Sequence, residues 1–402
     1  MKFNFEIKRI RKGAKNMQLL QNSLKTDEAS LINNQTPPSL PQKGRDSGIE
    51  LFRIIAMLLI VAHHYVVNSG LLDLVAKTQE MTMNSIFLLI YGAFGKIGIN
   101  WFVMITGYFM CKQTLTVKKF LKLFLQVEFY KLVTVLFVIS SGYKYSLKTL
   151  FAALTPFYGI GRYFTPSIVV FFLFIPFLNK LIGSLDKKMH ERLIVLCVSI
   201  FTLIPSLTVP PLFIHATVTV SDLGWFSSIY FIASYIRLYP TKWFNNQKLW
   251  QTASFFSLLL VIASVLGMAF YMRTTSGIKS PWYPYFFISP SNKLLALIVG
   301  ISVFMFFKNL KMKQSYIINT IAASSFGVLL IHTSSEAMRK WLWYDFLKNT
   351  TYFNADLSAL FIHAICSVLG IYIFGTLFDM ARIKLIEKPV FNFYDKWAEK
   401  KR

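Results

Sequence analysis

Acidic residues are scarce in this sequence. There are 18 Asp and Glu against 43 Lys and Arg in 402 residues, a formal net charge of +25 at pH 7. Charge of either sign is thin: the four charged types make up 15% of the chain, where a soluble domain carries roughly 25%. Cysteine is rarer still. Cys111, Cys197 and Cys366 lie far apart with no CxxC or metal-type spacing, so no disulfide framework and no metal site is encoded. No HExxH, GxxxxGK[ST] or GxSxG occurs. A zinc protease, a P-loop pump and a serine hydrolase are therefore unsupported. There is no internal repeat, which weighs against a carrier built on inverted repeats.

What is present is apolar. Hydrophobic residues make up 54% of the chain and phenylalanine alone occurs 39 times. They come in blocks close to the ~20 residues that cross a bilayer. The expected fold is an all-α polytopic membrane protein of about ten transmembrane helices, near residues 49–67, 85–110, 119–141, 163–183, 191–207, 223–239, 253–272, 293–309, 317–334 and 357–381. Pro156, Pro166 and Pro176 are expected to break up span four and its approach. The basic residues fall between the apolar blocks and so report topology, not nucleic-acid binding. Counted over loops and tails, Lys and Arg divide 30 to 10 between the two sides, with Arg53, Lys96 and Lys131 inside spans. That bias places both termini in the cytoplasm.

Residues 1–48 read as a basic disordered tail, 49–385 as the transmembrane domain and 386–402 as a basic cytoplasmic tail. MKFNFEIKRIRKGAK is either a solvated tail or a piece that lies on an anionic membrane surface. QTPPSLPQKGR reads as a linker, and no signal-peptide pattern precedes span one.

Span one, IELFRIIAMLLIVAHHY over 49–65, organises the chain. Arg53 and His64 are eleven positions apart. At ~100° and ~1.5 Å per residue they share one helix face, within ~20°, and stand ~16 Å apart along it. One elongated ligand could touch both. Ionisable groups within a span usually face the bundle interior or a wet cavity. The alternative is that Arg53 snorkels to the interface and His64 is a plain helix contact. As a neutral imidazole His64 is the candidate general base, and Arg53 carries a fork of donors suited to phosphate. His63 points ~80° away from Arg53 and reads as packing.

Glu128 lies mid-span in LFLQVEFYKLV. It is either a site carboxylate that orients His64 or the partner of Lys131, three residues on. The glycines of GKIGINWFVMITGYF allow close helix approach, and Thr106 could offer a hydroxyl or simply pack. His332 and His363 read as structural hydrogen-bonding histidines.

These segments resemble the integral-membrane acyltransferase 3 family, the O-acyltransferases of bacterial surface glycans. The likeness covers about residues 46–390. ELFRIIAMLLIVAHH matches the family's arginine, ten residues, then histidine, which selects His64 over His63. NWFVMITGYF is similar to an FFxxSGY-like segment, with Thr106 in the serine position. In RYFTPSIVVFFLFIPFLN, Phe164, Pro176 and Asn179 match, while Arg162 and Tyr163 stand where tyrosine and tryptophan are common. GWFSSIYFIASYIRLY and SSFGVLLIH resemble two later segments, the second bringing in His332.

The resemblance implies acyl transfer from a cytoplasmic acyl-CoA, most often acetyl-CoA, to a hydroxyl of a surface polysaccharide or lipid-linked sugar. It implies a multi-pass protein of the bacterial plasma membrane with the lipid bilayer and glycan-assembly proteins as partners. On that footing Arg53 would grip CoA phosphate, His64 would take the acceptor's proton, Glu128 would orient His64, and Thr106 or Tyr163 would steady the oxyanion. A covalent acyl-histidine step stays open. The competing class is a polytopic transporter of amino acid or lipid-linked glycan.

Overall fold

An aspartate opens the first long helix. The carboxylate of Asp46 accepts hydrogen bonds from the amides of Gly48 and Ile49 at 3.0 and 3.3 Å, satisfying donors that a helix start leaves unpaired. The helix, α1, runs Ser47–Val67. It ends where the amide of Asn68 closes on the carbonyl of His64 at 3.0 Å. Gly70 then turns the chain with a φ of 79°, and a Cβ there would stand 2.8 Å from the Tyr344 hydroxyl. Only glycine suits both demands.

The computed structural model describes residues 45–144, 146–155, 158, 163–207, 221–274 and 280–400. Residues 1–44 of the expected basic tail, together with Pro156 and Arg162, lie outside the described residues. After α1 the long helices are α2 (Met83–Met110), α3 (Val117–Ser140), α4 (Phe164–Ser184), α5 (Lys187–Ser206), α6 (Asp222–Leu238), α7 (Gln247–Thr274), α8 (Leu294–Lys308), α9 (Tyr316–Thr333) and α10 (Leu357–Lys400). Short turns interrupt α2 before Gly95 and α9 at Ser324. Eight of these ten are long and apolar enough to cross a membrane; α6 has 17 residues and α8 is apolar but has 15. Each of the ten expected spans falls on one of them, and no strand occurs among the described residues. The chain is an all-α polytopic membrane protein.

Span four departs from expectation. α4 runs through Pro176 without a break. Pro166 sits in its first turn, where the missing N–H would have had no helical partner anyway.

α1 is the central helix. Of its most apolar window 61% is buried inside the protein, against 17% for α5, whose remaining surface is left for lipid. Lipid tails are as apolar as leucine, so helices here associate through close packing more than through burial from water. Glycines on α2 supply that closeness. A Cβ on Gly98 would come within 2.6 Å of the Ile60 side chain, and one on Gly95 within 2.0 Å of the Cβ of His63. These contacts run α2 antiparallel to α1 and fix its register. Further along, Gly107 packs against Tyr230 and Ala233 of α6. Phe52 of α1 meets Trp101 of α2 at 5.3 Å and stacks on Phe307 of α8 at 4.8 Å.

α10 has 44 residues, roughly 66 Å of helix, twice the ~30 Å hydrocarbon core. Residues 388–400, expected within a basic tail, continue this helix and pack antiparallel against the start of α3. Asp395 takes two hydrogen bonds from Lys118 at 2.6 and 2.7 Å. Glu387 pairs with Lys122 at 3.2 Å, and Phe391 lies under the same ammonium at 5.2 Å. Deeper in, fully buried Asp379 binds Arg382 Nε at 2.8 Å, the Tyr130 hydroxyl at 2.9 Å and Gln126 at 3.2 Å.

Candidate active site

The chemistry-bearing cluster forms where α1 meets the second half of α9. Nδ1 of His64 lies 3.0 Å from Nε2 of His332, and Nδ1 of His332 lies 2.5 Å from the carbonyl oxygen of Val328. A carbonyl only accepts, so His332 Nδ1 holds the hydrogen. In the neutral ring its Nε2 is then an acceptor, and His64 Nδ1 must be the donor. The assignment follows from the partners present. It leaves His64 Nε2 with a free lone pair. A backbone carbonyl thus sets the tautomer of one histidine, and that histidine sets the tautomer of the next. This is the logic by which a third group orients a base in other hydrolytic and transfer sites.

His63, next in the chain, is built differently. Its Nδ1 donates to the carbonyl of Gly92 at 2.6 Å, and its ring sits among Trp282 and Tyr285, 6.3 and 6.2 Å between centroids. Gly95 makes the space it fills. The helical offset that separated it from the Arg53–His64 face corresponds to this separate environment. His363 also packs, stacked on Tyr352 at 3.8 Å with its Nδ1 2.8 Å from the Tyr65 hydroxyl.

The structure does not bring the other sequence-derived candidates to His64. Glu128 faces Lys131 at 3.8 Å, and that ammonium donates to the carbonyl of Thr155 at 2.6 Å. α3 meets the histidine segment through Thr134 with Ser334, 2.7 Å apart, and through Val127 and Tyr130, which cluster with Leu330 and Ile331, while the carboxylate of Glu128 is engaged with Lys131. The side chain within hydrogen-bond distance of His64 is His332. Thr106 donates to the carbonyl of Phe102 on its own helix at 2.8 Å. It lies eleven residues past Gly95, so ~16 Å along α2 from the level of His63; it belongs to the Arg53 end. Tyr163 precedes α4, and its hydroxyl donates to Glu336 at 2.9 Å.

Two cations that sequence reasoning did not assign act on the histidines. Lys96, in the first turn after the break in α2, and Arg339, in the short helix Glu336–Lys340, both exert their charge on His64. Arg339 acts on His332 as well. Lys96 also faces the field of Asp222, which accepts from Ser167 at 3.0 Å. Lys96 was visible in the sequence as an in-span charge, and His332 through its closing segment. What linked them to His64 is tertiary.

At the opposite end of α1, Arg53 lies 3.5 Å from Glu50. The same end of the bundle carries Arg237, which donates to the Tyr108 hydroxyl at 3.1 Å and covers its ring at 4.8 Å. Nε of Arg237 is buried without a partner. Lys308 reaches the carbonyl of Phe244 at 3.2 Å. Among the described residues no set of three or more His, Cys, Asp or Glu is placed to hold a metal ion.

Compared with known proteins, residues 46–378 match the model of one family, described as an acyltransferase domain. No curated protein matches, and no solved structure matches.

Proposed function

The chain belongs to the acyltransferase 3 family and is a membrane acyltransferase, and from this we propose that it moves an acyl group, acetyl in the first instance, from acyl-CoA to a hydroxyl of a cell-surface or lipid-linked glycan. The observation that carries the mechanism is the free lone pair on His64 Nε2, held there by His332 and Val328. The acceptor hydroxyl gives its proton to that nitrogen as its oxygen attacks the thioester carbonyl. The tetrahedral intermediate collapses, the carbon–sulfur bond breaks, and the departing thiolate takes the proton back from the imidazolium. Lys96, next to the Gly95 that packs on His63, is the candidate to balance the oxyanion, ahead of Thr106, which stands at the other end of α2.

The donor's phosphates go to the Arg53 end, with Arg53 and Arg237 as anchors. The ~16 Å between Arg53 and His64 suits an extended pantetheine arm laid along α1. With the orientation that loop charges favour, CoA enters from the cytoplasm of a bacterial cell and the acceptor is met on the far side.

Mass analysis of surface glycan tests this reading. A deletion strain should lack one acyl increment per modified residue, and the wild-type gene should restore it. H64A should reach the membrane in normal amount and restore none, a loss of about 10²–10⁴ in rate. Normal acylation by H64A would remove His64 from the chemistry.

A further inference from the structure

Asn68 stands one turn beyond His64, its amide closing on the His64 carbonyl at 3.0 Å, and Glu336 opens the short helix that follows the His332 helix after an extended Ser335. With Arg339, Lys340 and Tyr344 they line a cavity of about 420 Å³. Small-ligand pockets run ~300–1,000 Å³, so one or two sugar rings fit. One turn is ~5.4 Å along a helix axis, comparable to the breadth of a pyranose ring.

The walls of this cavity are charged, and the charges do not cancel. The single carboxylate, Glu336, accepts from Tyr163 at 2.9 Å and lies 4.0 Å from Arg339. Arg339 also covers the Tyr163 ring at 5.6 Å, so it is held in place. Lys340 is exposed beside them, and among the described residues it pairs with no carboxylate. Two cations thus share one acid in a cavity that Asn68 places one turn from His64.

We propose that this cavity is the acceptor site and selects a sugar that bears an anionic group, carboxylate or phosphate. Arg339 and Lys340 hold the anion at the rim, and a hydroxyl about one ring away reaches His64 Nε2. Arg339, braced on Tyr163, supplies the directional fork, and Lys340 a mobile point charge. The assignment rests on the acyl-transfer reading above.

Binding to the full-length protein in lipid nanodiscs tests it, with two matched pairs of soluble probes. One pair is an oligogalacturonate and its neutral methyl ester. The other is a glycerol-phosphate-bearing oligosaccharide and its dephosphorylated form. Wild type should bind at least one charged probe about tenfold more tightly than its neutral partner. K340Q should cut that preference about threefold, and R339Q with K340Q should erase it. K340Q changes an exposed side chain, so it stays informative if R339Q disturbs folding. A preference in the carboxylate arm alone identifies a sugar acid, and one in the phosphate arm alone identifies a phosphorylated glycan. Equal affinity for charged and neutral partners in both arms overturns the proposal, as does a preference that survives the double substitution. Charge-selective binding with no transfer from acetyl-CoA by the wild type would instead remove the acyl-transfer reading and leave an anion site of another purpose.

Discussion

The two ends of α1 are built on different scales. At the Arg53 end the guanidinium faces Glu50, three residues away on the same helix. At the His64 end the contact is with His332, 268 residues away. The first pairing follows from helical spacing alone. The second exists only because α9 is laid against α1. Tertiary pairing holds His64 in one tautomer before any ligand arrives. On the proposed reading one end grips the donor and the other transfers the proton.

The contrast can be broken most sharply at His332. H332A should lower the rate of transfer about 10- to 100-fold with little change in donor KM, because His64 loses its orientation and keeps its nitrogen. H332Q, whose side-chain oxygen can accept from His64 Nδ1, should recover part of the loss. If H332A is as fast as wild type, the tautomer chain has no role. A smaller effect is expected at the other end. R53Q should raise the apparent KM for acyl-CoA about tenfold and change kcat less than threefold, measured by CoA release at varied donor. A large drop in kcat with KM unchanged would mean that Arg53 serves the chemistry and not the grip. The smallest effect belongs to Glu128. Its ion pair with Lys131 is local to α3, so E128Q should stay within twofold of wild type in transfer rate. A loss comparable with that of H332A would return Glu128 to the site.

The helices were legible because apolar runs announce themselves: each expected span, including the short α6 and α8, coincides with a helix. The distinction between His63 and His64 was also legible, since 100° per residue turns one ring toward Gly92 and the other toward α9. For Glu128 the local pairing with Lys131, one of two readings that spacing allowed, is the one observed. The role of His332 was not legible from periodicity, because a helical pattern says which face is inward and not what lies across from it. Lys96 was hidden for the same reason. Thr106 was read as a hydroxyl near a ligand or as packing, and the rise of α2 carries it to the Arg53 end. Pro176 signalled a break that the helix absorbs.

The long run of α10 beside α3 has a mechanical consequence. Lys118 and Lys122 latch residues 387–395 to the beginning of α3, and Tyr130 and Gln126, further along α3, hold Asp379. The last helix is thus buttoned to the third at several heights. A reporter joined after residue 402 would hang from this strap, so any tug on it would be felt first by α3, beside the Thr134–Ser334 contact that borders the histidine segment. Labels for tracking the protein are better placed elsewhere than at that end.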